Sequence, residues 1–120
     1  MKRGIYIVAN DRVMEEAIAL LNSIRLYDSD VPVVMIPYNE QHQAIAQVLK
    51  EKYGVTIYEN LEFLERLSQN LYNIFGQNFF ANPNHLKKEA CWFGELDEFL
   101  YIDVDVIVFE KIIDNLKYLQ

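Results

Sequence analysis

The sequence GIYIVA at positions 4–9 is a continuous apolar run rich in β-branched side chains, and the polar pair Asn10-Asp11 ends it. A strand with one solvated face alternates apolar and polar residues, whereas a strand of a parallel sheet is covered on both faces and is apolar throughout. We therefore predict a buried first strand in a parallel sheet, with its carboxyl end at Ala9.

The segments after this strand alternate between helical and extended patterns. Apolar side chains recur at helical spacing from Val13 to Ile24, and Asp11 is placed to cap that helix. Short connections in a strand–helix alternation are typical of a doubly wound α/β fold, so we predict a mainly parallel sheet with flanking helices in one domain, residues 1–120. Further strands are predicted at 31–36 and 55–58, and further helices at about 40–53 and from 60 to 74.

The alternation changes after the third helix. Residues 75–84 form an aromatic-rich segment typical of a loop, and a short helix is predicted from His85 to about Glu95. The apolar run at 99–109 follows it and predicts one more strand.

Composition narrows the classes of function. The chain has 120 residues, with 11 Lys and Arg against 18 Asp and Glu, and a net charge of −7. A net negative surface repels phosphate backbones, so we expect no nucleic-acid partner. The single cysteine, Cys91, excludes an internal disulfide and a cysteine-based zinc site. The apolar runs are too short to span a bilayer and no signal-peptide cleavage pattern follows the first strand, so we expect a cytoplasmic protein without a membrane span.

Asp103 and Asp105 are the only charged residues between Phe99 and Phe109. In an extended chain, residues two apart point to the same side, so both carboxylates would face one way. Burying two carboxylates together costs several kcal/mol unless a cation or hydrogen-bond donors offset it. A divalent cation that also binds a phosphate ligand would do so. The alternatives are that the pair ends a strand and faces water, or that the strand breaks there and resumes after Asp105.

The string Leu100-Tyr101-Ile102-Asp103-Val104-Asp105-Val106-Ile107-Val108 resembles the D-x-D segment of GT-A-fold glycosyltransferases. It is most similar to that of family 8, the glycogenin and lipopolysaccharide galactosyltransferase group, in which a hydrophobic strand precedes D-x-D and an apolar run follows it. The first strand with Asn10-Asp11 and a basic residue on the helix before D-x-D extend the resemblance over nearly the whole chain. Only the D-x-D string is specific.

The resemblance implies a donor-binding domain for a nucleotide-diphospho-sugar, with a UDP-sugar favoured, and transfer of a hexose to an acceptor. It implies that Asp103 and Asp105 hold Mn²⁺ or Mg²⁺ against the diphosphate. It also places the nucleoside at the end of the first strand and a donor contact on Lys87, with Lys88 as the alternative. The implied nucleotide-sugar contacts are Ala9, Asn10, Asp11, Lys87, Asp103 and Val104.

Members of that family are roughly twice as long, and their second half supplies the acceptor site. We therefore expect this chain to form a homo-oligomer or to work with a missing C-terminal half; the alternative is a non-catalytic, oligomerising remnant. Two other classes fit less well. A receiver domain needs an aspartate after the third strand, where Tyr58-Glu59 stands, and a D-x-D phosphatase needs motifs downstream of an early acidic pair.

Overall fold

The computed structural model describes residues 2–75 and 83–114. Four strands and three α-helices alternate along the chain, with a 3₁₀ turn before the first α-helix and a longer 3₁₀ helix before the last strand. In chain order they are β1 (Arg3–Ala9), the 3₁₀ turn Asp11–Val13, α1 (Met14–Tyr27), β2 (Val33–Pro37), α2 (Gln43–Tyr53), β3 (Thr56–Ile57), α3 (Leu61–Phe75), the 3₁₀ helix Pro83–Phe93 and β4 (Glu98–Tyr101).

The strands form one sheet in the order β3-β2-β1-β4, and every pair is parallel. β1 lies inside the sheet, with Ile5 opposite Val33 of β2 on one side and Leu100 of β4 on the other. This confirms the predicted α/β fold with a mainly parallel sheet, and it makes the first strand the central one.

Each face of the sheet carries its own layer of helix and its own apolar core. Ile5 and Ile7 of β1 face α1 and α2, whose buried residues include Leu20 and Leu49. Tyr6 faces the opposite way, toward Leu64 of α3 and the 3₁₀ helix. The alternation of side chains along a strand therefore explains why β1 is apolar throughout: both of its faces are buried.

Two elements differ from the sequence-based expectations. α2 begins at Gln43 rather than near Glu40, because Asn39 folds its side chain back onto the backbone N–H of Gln41 at 3.0 Å. The apolar run at 99–109 is a strand only as far as Tyr101. Most of the predicted aromatic loop, residues 76–82, lies outside the described residues.

Tyr6 connects β1 to the layer formed by α3 and the 3₁₀ helix. Its side chain is fully buried, its hydroxyl accepts a hydrogen bond from the backbone N–H of Leu96 at 3.1 Å, and its ring packs edge-on against Phe99 with centroids 5.2 Å apart. Gly94 lies directly against this hydroxyl, because a Cβ at that position would overlap it and would come within 3.1 Å of the Tyr58 ring.

We expect Gly94→Ala to lower the free energy of unfolding by about 1–3 kcal/mol, because the added methyl group overpacks a buried contact that lies between two aromatic side chains. Urea unfolding followed by circular dichroism measures it. Gly54→Asn is the control: Gly54 has φ 68° at the end of α2 with no neighbouring atom within 4 Å, and Asn tolerates that conformation. Equal losses for the two variants would contradict the packing explanation.

Candidate functional site

The order of the strands brings two carboxyl ends together at one point. From β1 the chain crosses through α1 to β2 on one side, whereas β4 pairs with β1 on the other side. The carboxyl ends of β1 and β4 therefore flank the place where the strand order reverses. Open α/β sheets bind their ligands in the crevice outside the carboxyl ends of the strands, at such a reversal.

The acidic pair lies at this edge, in a turn directly after β4. The last sheet hydrogen bond runs from the backbone N–H of Ile102 to the carbonyl of Tyr6 at 3.0 Å. The backbone N–H of Val106 then donates to the carbonyl of Asp103 at 3.2 Å, which closes a turn around Val104 and Asp105. The expectation that the pair lies in an extended, buried strand is therefore wrong, and the predicted alternative of a break at the pair is correct.

Both carboxylates are exposed, so no buried charge has to be neutralised there. Water solvates an exposed carboxylate, and the desolvation cost that suggested a cation from the sequence is absent. What remains in favour of a ligand site is the position of Asp103 and Asp105 at the reversal of strand order.

The side chains around the turn alternate between the two faces of the sheet. Ile102 and Val104 pack against the α1–α2 core, as does Leu100. Tyr101 points to the other face, where burial, a hydrogen bond with Asp103 and the negative charges of Asp103 and Asp105 raise the pKa of its phenol. Because both carboxylates act on this one hydroxyl, they lie on the same side of the turn, as the sequence predicted.

The polar pair after β1 is engaged in capping. Asn10 is buried, and its side-chain oxygen accepts from the backbone N–H of Arg12 at 3.1 Å, so it caps the 3₁₀ turn. Asp11 does not cap the first helix as predicted. Its carboxylate reaches α2 and accepts from the backbone N–H of Ile45 at 2.8 Å, while its own N–H donates to the carbonyl of Gln41. The end of β1 is thereby fixed to the beginning of α2.

Lys87 is buried, with a side chain only 3% exposed, so the expectation of a solvated helix charge is wrong. Its ammonium donates to the carbonyl of Tyr38 at 3.1 Å and to Glu65 at 2.7 Å. Glu65 itself is 69% exposed. Lys87 therefore lies at the carboxyl end of β2, on the floor of a cavity of about 240 Å³, with a solvated carboxylate as its charged partner.

Within the described residues, no group of three or more His, Cys, Asp and Glu side chains is arranged to hold a metal ion. Asp103 and Asp105 provide hard carboxylate oxygens, the ligand type that Mg²⁺ and Mn²⁺ take. Two side chains leave most of an octahedral shell to other donors, and Mg²⁺ commonly fills such a shell with water and substrate phosphates. The pair thus fits a cation that arrives with a phosphate ligand.

Cys91 is buried beneath the α3 side of the sheet, as its sequence context predicted. Burial raises the pKa of its thiol to about 12, and the reactive form of a cysteine is the thiolate. At neutral pH the Cys91 thiol is protonated and fills space in the core. It is therefore not a candidate nucleophile.

Two contributors to this edge were not found from the sequence. Tyr101 stands two residues before Asp103, and strand alternation alone would have put the two side chains on one face. Glu65 stands on a helix face that appeared to be merely solvated, and no local pattern shows that it pairs with Lys87, 22 residues further along the chain.

The parallel sheet and the acidic turn at its reversal point define the class: a Rossmann-like α/β domain with a site for a small ligand at the carboxyl edge. The chain belongs to the family described as "Mannosyltransferase putative", whose model matches residues 2–118. It is therefore a glycosyltransferase-like domain. No curated protein matches its sequence.

Among solved structures, the crystal structure of S. aureus TarS is similar, with a TM-score of 0.53 and 16% sequence identity. The likeness covers 98% of this chain and 19% of the TarS chain, so the chain spans about a fifth of that structure's length. At this identity the likeness shows the fold alone. In the part of the chain that the structure describes, no helix is both long and apolar enough to cross a membrane.

The cap between Asp11 and α2 can be separated from any ligand contact by two substitutions. We expect Asp11→Ala to lower the free energy of unfolding by about 1 kcal/mol, because the N–H of Ile45 loses its acceptor. Asp11→Asn keeps an oxygen at the same place and should cost a few tenths of that or less. Thermal and urea unfolding measure both; identical losses would show that the cap does not stabilise the fold.

Proposed function

We propose that this chain is the nucleotide-sugar-binding domain of a glycosyltransferase, and that Asp103 and Asp105 bind the donor's diphosphate through Mg²⁺ or Mn²⁺. One observation carries the proposal: in a member of a mannosyltransferase family, an exposed Asp-x-Asp turn lies at the point where the strand order reverses. The family supports the reaction class, and the geometry supports the place.

The charges explain why a cation belongs between this turn and a diphosphate. A carboxylate and a phosphate oxygen about 4 Å apart repel each other by about 4 kcal/mol at an effective dielectric of 20. A divalent cation turns that repulsion into attraction on both sides and, when bound, offsets the charge that develops on the departing diphosphate. The chain's net charge of −7 adds a general repulsion that the same cation reduces locally.

The residues of the chain would divide the work along the carboxyl edge. The end of β1, at Ala9, Asn10 and Asp11, would contact the nucleoside, and Val104 would hold the acidic turn against the α1–α2 core. Lys87 would contact the sugar or diphosphate from the carboxyl end of β2, with Glu65 released to water. Lys88, exposed on the same 3₁₀ helix, is the alternative cation.

The donor is proposed at two levels. The family's description favours a nucleoside-diphospho-mannose, whereas the family-8 resemblance favours a UDP-sugar. Membership of family 8, an acceptor site on a missing C-terminal half and a cytoplasmic location all stay predictions.

We expect Mn²⁺ to tighten the binding of GDP or UDP by roughly 5- to 150-fold, the usual range for two linked ligands. Asp103→Asn with Asp105→Asn should abolish that increase, because the turn then offers no anionic oxygen. Isothermal titration calorimetry with each nucleotide, and with GDP-mannose and UDP-glucose, in the presence and absence of Mn²⁺ measures both and identifies the base.

The matched control is Asp30→Asn with Glu51→Gln. It removes the same number of charges from exposed positions before β2 and toward the end of α2, away from the carboxyl edge. It should leave the effect of Mn²⁺ unchanged. Binding that Mn²⁺ does not strengthen in the wild-type chain, or that survives in the Asp103 and Asp105 variant, would refute the proposed site.

A second candidate is a domain whose β4 edge joins another copy of the chain. Ile107 and Phe109, which follow the acidic turn, are 54% and 79% exposed beside this outer strand. Exposed apolar side chains next to an open strand edge favour association. We expect sedimentation analysis to give a dimer that Phe109→Lys converts to monomer; a monomeric wild-type chain at high concentration would exclude this candidate.

A further inference from the structure

Tyr101 ends β4 and stands at the boundary between the sheet and the acidic turn. It is opposite Tyr6 in the β1–β4 pair, and the next residue makes the last sheet hydrogen bond. Its backbone is therefore held by the central strand, which gives its side chain a fixed origin. A side chain based on a sheet holds its neighbours more firmly than one based on a loop.

The phenol of Tyr101 lies between the acidic turn and the layer of the 3₁₀ helix. It makes a hydrogen bond with the side chain of Asp103, and Asp105 and the buried Cys91 are its other charged or titratable neighbours. The raised pKa of the phenol keeps its proton in place at neutral pH, so it is a permanent donor toward a carboxylate, which only accepts.

We infer that Tyr101 is a positioning residue: its hydroxyl donates to one oxygen of the Asp103 carboxylate and so aims the other oxygen at the cation and diphosphate. The inference rests on the proposed function. Val104 acts from the opposite face, where its side chain packs against the α1–α2 core and holds the turn. The turn is thus fixed from both faces of the sheet.

The physical need for such a residue follows from the exposure of the pair. An exposed aspartate samples several rotamers, and ordering it on binding costs conformational entropy. A hydrogen bond that already selects one orientation reduces that cost. Residues that hydrogen-bond a metal-binding carboxylate typically contribute roughly 10- to 100-fold to metal affinity.

The test is Tyr101→Phe in the complete chain, with calorimetric titration of GDP and of UDP with and without Mn²⁺. We expect the increase in nucleotide affinity that Mn²⁺ gives to fall about tenfold, while the affinity without metal stays the same. The unchanged metal-free affinity shows that the variant is folded. Tyr53→Phe is the control, because it also removes one tyrosine hydroxyl, which donates to Asn22 at 2.7 Å on the helical layer away from the turn.

A double-mutant cycle separates this inference from the proposed function. In the Asp103→Asn background, Tyr101→Phe should have no further effect on the Mn²⁺ dependence, because its partner no longer binds the cation. If Asp103→Asn abolishes the Mn²⁺ effect and Tyr101→Phe does not reduce it, the positioning role is overturned and the site stands. If Asp103→Asn has no effect, the site and the positioning role both fail.

Discussion

The position of the acidic turn depends on a single hydrogen bond, from the backbone N–H of Ile102 to the carbonyl of Tyr6. It is the last connection between β4 and the central strand. β1 continues for three more residues to Ala9, about 10 Å at the usual rise per residue. The two strands therefore end at different levels, and the turn lies beside the final residues of β1. This stagger leaves a step at the carboxyl edge.

Tyr6 serves both sides of this arrangement. Its backbone carbonyl accepts the last hydrogen bond from β4, and its buried hydroxyl accepts from Leu96 in the segment that leads into β4. The Phe99 ring packs on it edge-on. The beginning and the end of β4 are thus held by the same residue of β1. Because interiors are close-packed, a shift of Tyr6 would move the acidic turn as well as the core.

The strand and helix order follows from the sequence because it depends on local periodicity. The continuous apolar run of β1 and the helical stripes of α1 to α3 each carry their own signal, and the parallel sheet follows from their alternation. The end of β4 has no such signal. Residues 106–109 are as apolar as a strand, yet Ile107 and Phe109 are exposed and only Val108 is buried. Lys87 and Asp11 were assigned the wrong surroundings for a related reason: their partners, Glu65 and Ile45, are distant in sequence.

The exposure of Asp103 and Asp105 changes how a site of this kind would work. A buried acidic pair would need a resident cation for stability, because desolvated charge must be neutralised. An exposed pair is stable alone, and solvent screening makes its hold on a cation weak. Under the proposed function, the cation and the diphosphate then bind together, since each supplies the charge that the other lacks. Linkage makes this reciprocal: the factor by which the cation strengthens nucleotide binding equals the factor by which the nucleotide strengthens cation binding. A weak acidic turn at the edge of the sheet is therefore suited to release both when the sugar has been transferred.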